Sequence, residues 1–386
     1  MKKILILGEG TQGLTFIHAL HKLGHQVYLL YDSPGNYADA SRFCDCKIKA
    51  PVHQNESGYL EFLLSTIRDN GIDVLIPMGD GGARFVSENI SEIKEATSIK
   101  MPGIEHFMMG YDKNQLMTLC EIKGYPHPKT VDLSIIPVTD SSLKSFPFPG
   151  MLKPNLTTGG RGMVCVNSYD ELVSQYGVLH ETYGNYHLQE FIPAGGRQFK
   201  VQLYIDEQKE LVQGTVMQKV RWFPPKAGSN CCAVSVDKPE LIDLCYHILQ
   251  DIDWLGFADF DFIEDPRDGR LLAMEINPRV PACIKMPMVA GVNWAEIIVN
   301  GYLDLPQKEY VHKTGVVLRH LGLDVLWFMK CENRWKTDPN WFKFVGRNVY
   351  YQDISDWTDP APFWAGTFHN IKSLLNPNFK KAKGLK

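Results

Sequence analysis

The chain opens on an apolar run, Ile4-Leu5-Ile6-Leu7, that stops at Gly8, and further apolar runs then alternate with helical patterns. The spacing predicts a strand over Lys2–Leu7, a helix over Gln12–Leu23, a strand over Gln26–Tyr31, a helix over Tyr59–Asn70 and a strand over Val74–Pro77. Leu60, Leu63, Leu64 and Ile67 recur at the interval that puts them on one helical face. Strands alternating with helices imply a parallel sheet covered on both sides. The stretch Ser141–Gly150, with Pro147 and Pro149, breaks this pattern and leads into a strand over Met151–Pro154, where a second unit begins. From Leu188 onward the chain is strand-rich, with strands predicted over Gln198–Ile205, Leu211–Val220 and Cys232–Val236 and a helix over Leu241–Asp251. Two more strands, Ala258–Ile263 and Leu271–Ile276, flank the turn Glu264-Asp265-Pro266-Arg267-Asp268-Gly269 and read as a hairpin. Beyond Pro306 the chain is rich in tryptophan and shows no strong periodicity.

Length and charge narrow the class. A chain of 386 residues exceeds one ordinary core and implies two or three domains. With 44% hydrophobic and 22% charged residues, neither disorder nor a fibrous repeat is indicated. Lys+Arg number 40 against Asp+Glu 44, a formal charge of -4, so the basic footprint of a nucleic-acid binder is missing. The basic run Lys380-Lys381-Ala382-Lys383 reads as a solvated terminus. The first apolar run is too short for a signal peptide, and no stretch approaches the roughly 18 apolar residues that span a bilayer. Nine cysteines, an odd number, fit reduced thiols and a cytoplasmic location, and Cys44/Cys46 and Cys231/Cys232 lack zinc-site spacing. His18, His21 and His25, on or beside the first helix, are expected at the surface.

The predicted hairpin carries the densest chemistry. Alternation puts Asp259 and Asp261 on one face of its first strand and Phe260 and Phe262 on the other, and pairs Glu275 with Asn277 on one face of its second strand. Asp261, Glu275 and Asn277 can therefore meet. Hard oxygen ligands gathered on a sheet are costly to desolvate unless cations sit between them, and magnesium favours one or two carboxylates plus substrate phosphate oxygens. Asp261-Phe262, followed by Glu275-Ile276-Asn277-Pro278-Arg279, resembles the metal-binding signature of the ATP-grasp superfamily. That resemblance implies two magnesium ions held by Asp261, Glu275 and Asn277, with Arg279 beside an acyl phosphate.

Other segments resemble the same family in its order. Lys153, ending a strand ahead of Thr157-Thr158-Gly159-Gly160-Arg161-Gly162, is similar to the family lysine on the α- and β-phosphates, with Gly159, Gly160 and Gly162 in a loop closing over the nucleotide. Lys113 matches the first nucleotide-binding lysine, at a helix start for which Asp112 suits the N-cap. Leu188-Gln189-Glu190-Phe191-Ile192 resembles the adenine hinge, with Glu190 toward the exocyclic amine and Phe191 and Ile192 offering backbone groups. Gln198 stands where the family usually has a ribose-binding glutamate. Lys219 and Arg221 resemble the basic strand and lead into the loop Trp222–Ser229; Arg221, with its permanent charge and fork, is the expected phosphate contact.

A rival signal lies at the N-terminus. Gly8-Glu9-Gly10-Thr11-Gln12-Gly13 satisfies GxGxxG between a strand and a helix, and Asp32 follows the next strand, as in a dinucleotide fingerprint. Such a turn can equally receive a substrate carboxylate or phosphate. Asp80, after the strand over Val74–Pro77, is either an acceptor-site residue or an exposed turn residue.

The expected fold is α/β with an α+β part: a Rossmann-like unit over 1–110, a small ATP-grasp subdomain with the glycine loop over 111–190, a large one with the metal site over 191–305, and a Trp-rich extension over 306–386. The resemblance implies an ATP- and magnesium-dependent ligase, in which Lys113, Lys153 and Arg221 absorb charge as a carboxylate becomes an acyl phosphate and an amine attacks it beside Arg279. Use of bicarbonate, as in carbamoyl phosphate synthesis, is a variant. An NAD(P)-binding oxidoreductase and a catalytically silent nucleotide-binding module are the alternatives. The expected partners are small carboxylates and amines, without nucleic acid or membrane, and a homodimer is one assembly open to the chain.

Overall fold

The computed structural model describes all residues except 9, 52, 55, 157–160, 225–227, 355 and 376–386. The N-terminal unit runs β1 (Lys3–Leu7), α1 (Thr11–Lys22), β2 (Gln26–Tyr31), β3 (Cys46–Lys49), α2 (Tyr59–Asn70), β4 (Val74–Pro77), α3 (Asp80–Glu88) and α4 (Ile90–Ala96). Its strands form an all-parallel sheet in the order β3-β2-β1-β4. Ile4, Leu5, Ile6, Val74, Leu75 and Ile76 are fully or almost fully buried, as continuous apolar runs require when helices cover both faces.

Two helices, α5 (Ile104–Tyr111) and α6 (Lys113–Lys123), lead to the small sheet of β5 (Thr130–Asp132), β6 (Gly150–Pro154), β7 (Val164–Val166) and β8 (Tyr186–Glu190), with α7 (Tyr169–Tyr183) between the last two strands. Its order is β5-β8-β6-β7 and every pairing is antiparallel. Asp112 caps α6 as expected, its Oδ1 accepting from the Asn114 N–H at 2.8 Å.

The third unit contains β9 (Gln198–Ile205), β10 (Leu211–Phe223), β11 (Ser229–Val236), α8 (Pro239–Asp251), β12 (Gly256–Glu264), β13 (Leu271–Asn277), α9 (Lys285–Val289) and α10 (Trp294–Tyr302). The C-terminal part adds β14 (Val317–Arg319), α11 (Leu321–Lys330), β15 (Val349–Tyr351) and α12 (Ala361–Leu375). Seven strands make one sheet, in the order β13-β12-β9-β10-β11-β14-β15. Its two faces differ because side chains alternate along each strand. Phe199, Val201 and Leu203 of β9 and Phe260 and Phe262 of β12 form one core with Leu241, Cys245 and Ile248 of α8 and Leu116 and Cys120 of α6. Lys200, Gln202, Asp259 and Asp261 point to the other face, which is polar.

The C-terminal residues, featureless in periodicity, are tied in by contacts distant in sequence. β14 and β15 extend the large sheet beyond β11, so the expected boundary at 306 does not interrupt it. The 350s cover α1. His18, expected at the surface, is instead buried with its Nε2 2.9 Å from Asp359, whose carboxylate also accepts from Ser41. All nine cysteines are free thiols. No described helix is long and apolar enough to cross a membrane. The basic run at 380–383 lies outside the described residues.

Candidate active site

Register builds the centre of the site. In the hairpin, Asp261 lies opposite Glu275 and Asp259 opposite Asn277, and in the neighbouring pair Asp261 lies opposite Lys200 and Asp259 opposite Gln202. Directly opposed residues share a face, so three acids, a lysine and two amides gather on the polar side of the sheet. The Lys200 ammonium donates to Asp259 at 2.6 Å and to Asp261 at 2.8 Å, and Lys219 donates to the other Asp261 oxygen. Gln202 donates to Asp259 at 2.8 Å and is itself held by the Thr215 hydroxyl at 3.0 Å. Asn277 Nδ2 donates to Asp261 at 3.1 Å and to Asp259 at 3.3 Å. Burial pushes the Asp261 carboxyl up, but Lys200 and Lys219 outweigh it and hold it far below the usual carboxylate range. The same two acids keep Lys200 protonated against the cost of its burial.

Depth is graded. The Asp259 side chain is fully buried, Asp261 is 13% exposed and Glu275 is 32% exposed, so Glu275 stands at the mouth. Lys113, at the start of α6, reaches Glu275 at 3.2 Å. Its position is fixed by the Asp112 cap and by its own N–H donating to the Asn155 carbonyl at 3.3 Å. Lys153 reaches the same region from β6 and donates to Gln189. Burial pushes its ammonium down to about 8, with Glu275 opposing and the Lys113 charge adding to the depression. His187, opposite Lys153, is held neutral, pushed down to about 3 by burial and then by Lys153 and Lys113. Its Nδ1 meets the Asn155 oxygen at 2.9 Å, and its buried Nε2 has no partner among the described residues.

Arg279, just past the hairpin, is gripped by Asp80 of the N-terminal unit, Nε to Oδ1 at 2.8 Å and a terminal nitrogen to Oδ2 at 3.3 Å. The same terminal nitrogen lies 3.4 Å from Asn277 Oδ1. Asp80, open to two readings in the sequence, is thus a clasp between units.

The adenine-hinge residues lie at the end of β8, in part already engaged. The Glu190 carboxylate pairs with Arg267 of the β12–β13 turn, and the Phe191 N–H donates to the Pro149 carbonyl at 3.2 Å. Phe191 and Ile192 are half-buried. Gln198 opens β9 on the same face as Lys200, opposite Lys219. Gly159 and Gly160 lie outside the described residues, as do 225–227. Gly162 has φ +74°, and a Cβ there would stand 2.8 Å from Pro154 and 2.9 Å from the Tyr186 hydroxyl, so glycine is required where the loop rejoins the sheet.

Arg221 corrects the sequence reading. A β-bulge in β10 lets Lys219 oppose Ala233 while Arg221 opposes Cys232, a shift that sends the two side chains to opposite faces. Lys219 meets Asp261; Arg221 is buried instead against Asp324, at 2.7 and 3.0 Å, and the Pro339 carbonyl at 2.8 Å. It anchors the C-terminal part and cannot reach a nucleotide at the acidic centre. Lys200, Gln202 and Gln189 were not singled out from sequence, although the alternation that grouped Asp259 with Asp261 places Lys200 two residues after Gln198 on the same face.

A magnesium ion can be tested against these donors. Among the described residues no three His, Cys, Asp or Glu side chains form a ready cluster. Glu275 offers a carboxylate at the mouth and Asn277 Oδ1 an amide oxygen deeper in, the small donor set magnesium takes when phosphates complete its shell. Asp261 fits less well, because both its oxygens already accept from ammonium groups. A separate cleft beside the first glycine turn is lined by Gly8, Asp32, Gln54, Tyr59, Gly79 and Gly81.

No family model matches the chain. It is 24% identical over 271 residues to the D-aspartate ligase of Enterococcus faecium, covering 65% of this chain and 64% of that one. It is 22% identical over 353 residues to the carbamoyl phosphate synthase large chain of Clostridium acetobutylicum, covering 84% of this chain and 32% of that one. The chain thus spans less than two thirds of either relative. The fold superimposes on a biotin carboxylase from Campylobacter jejuni, solved as a β,γ-ATP complex, with a TM-score of 0.66 and 18% identity, covering 82% of this chain and 74% of that one. The shared fold and the sequence likeness together point to the ATP-grasp superfamily.

Proposed function

We propose that the chain is an ATP-dependent ligase that activates a carboxylate as an acyl phosphate for attack by an amine. The observation that carries this reading is the gathering of Lys113, Lys153 and Arg279 around the Glu275 carboxylate and the deeper Asn277 amide, between the small sheet and the hairpin. Such a cluster suits phosphoryl transfer, where a protein positions the groups and neutralises charge on the moving oxygens. Lys113 and Lys153 bind the triphosphate. The β8 end, at Glu190, Phe191 and Ile192, receives adenine, and Gln198 offers an amide to the ribose.

Magnesium held by Glu275 and Asn277 would neutralise charge on the β- and γ-phosphate oxygens. The carboxylate oxygen attacks the γ-phosphorus, the bond from that phosphorus to the β,γ-bridging oxygen breaks, and ADP leaves. The amine nitrogen then attacks the acyl carbon, phosphate departs and the amine gives up a proton. Arg279, oriented by Asp80, lies where it can bind the acyl phosphate. Exclusion of water protects that intermediate. The D-aspartate ligase likeness favours an amine acceptor, and the carbamoyl phosphate synthase and biotin carboxylase likenesses keep bicarbonate as a variant carboxylate.

The cleft beside Gly8 and Asp32 belongs in this reading to a substrate. A dinucleotide spans two halves of a doubly wound sheet, whereas the parallel sheet here has four strands, β3-β2-β1-β4. The test is ADP and phosphate release from Mg-ATP against pools of amino acids, small carboxylates and bicarbonate. One pool should stimulate release, and Glu275→Gln should lower the stimulated rate at least about a hundredfold. Absence of ADP with every pool, alongside NAD(P)H binding, would contradict the reading.

A further inference from the structure

The acids of the hairpin already hold a cation delivered by the neighbouring strand β9. Asp259 and Asp261 present four carboxylate oxygens on the polar face of the large sheet, and each accepts at least one hydrogen bond from a side chain of this protein. Asp259 Oδ1 takes Gln202, Asp259 Oδ2 takes Lys200 and Asn277, Asp261 Oδ2 takes Lys200 and Asn277, and Asp261 Oδ1 takes Lys219. Two carboxylates face two ammonium groups, so the pair carries no residual negative charge to draw a divalent ion. The Lys200 ammonium bridges the two acids at 2.6 and 2.8 Å, where a shared metal would sit. It is delivered there by register: Lys200 lies on β9 directly opposite Asp261 on β12, with an 11% exposed side chain, so its stem is packed and its head has little other place to go.

Glu275 and Asn277 differ from this pair. Glu275 lies outward of it, and Asn277 turns its Nδ2 to the acids, leaving Oδ1 toward Arg279. Resting on the nucleotide-binding reading above, we infer that Lys200 is a permanent stand-in for one of two metal ions, and that the chain binds a nucleoside triphosphate with a single divalent cation, held by Glu275 and Asn277. Asp261 then works as the counter-charge that fixes Lys200 and Lys219 beside the phosphates, not as a metal ligand.

The experiment counts Mn²⁺ on the full chain saturated with the β,γ-imido analogue of ATP, reading free Mn²⁺ by electron paramagnetic resonance after analogue binding has been measured separately. The expected count is one Mn²⁺ per chain for the unaltered protein and two for Lys200→Met, in which the Asp259–Asp261 pair is opened to a cation. Two Mn²⁺ on the unaltered chain would overturn the inference, and so would a count that stays at one in a folded Lys200→Met. If that variant does not fold, the count on the unaltered chain decides alone. Failure to bind the analogue would be seen in the first step, and would remove the nucleotide-binding reading and this inference with it.

Discussion

Lys153 is the residue through which pH is predicted to act on nucleotide binding. Burial pushes its ammonium down to about 8, with Lys113 on α6 adding to the depression and Glu275 on β13 resisting it. Below that pH the charge is present and attracts the triphosphate; above it the apo protein loses the charge, and nucleotide binding must take up a proton because phosphate favours the charged form. ATP affinity is therefore predicted to fall as pH rises from 7 to 9, with an apparent pKa of about 8, measured by calorimetry in buffers of different ionisation enthalpy. Lys153→Arg, which keeps its charge throughout, should flatten the profile; an unchanged slope would remove Lys153 from the site. At this scale the sequence was legible wherever a strand kept its two-residue period. Asp261 and Glu275 face each other because β12 and β13 pair as alternation demands. Lys200 obeyed the same period, yet a lysine on a strand carries no signal until its opposing residues are known.

Elements were legible by their periodicity and illegible where tertiary contacts decide. The strand over Gln198–Ile205 and the hairpin formed close to the expected bounds. Arg221 was misread because one extra residue in β10 turns its side chain to the other face, and a bulge leaves no mark in a hydrophobic pattern. Its partner Asp324 sits on α11, in the stretch without periodicity, and accepts from Arg319 at 2.7 Å as well. Asp324 thus pairs with two buried arginines at once and offsets one of their two charges. Asp324→Ala leaves both without a counter-charge and is predicted to cost about 3–5 kcal/mol in denaturant unfolding. A loss under about 1 kcal/mol would mean that this buried cluster does not hold the C-terminal part to the sheet.

The whole molecule brings three units to one mouth: the small sheet supplies Lys153, the hairpin supplies Glu275 and Asn277, and the N-terminal unit holds Arg279 through Asp80. The fold class could be read from alternating strands and helices followed by a strand-rich region, because each layer needs its own period to bury one face. The clasp between Asp80 and Arg279 could not, since 199 residues separate its partners. That clasp ties the end of the hairpin to the turn whose Gly79 and Gly81 line the N-terminal cleft. The most direct test is oxygen transfer. When the carboxylate that stimulates ADP release is supplied with both oxygens as ¹⁸O, the account predicts that each phosphate released carries one ¹⁸O, left behind as the amine displaces it. Phosphate without ¹⁸O would mean that no acyl phosphate forms, and would contradict the account.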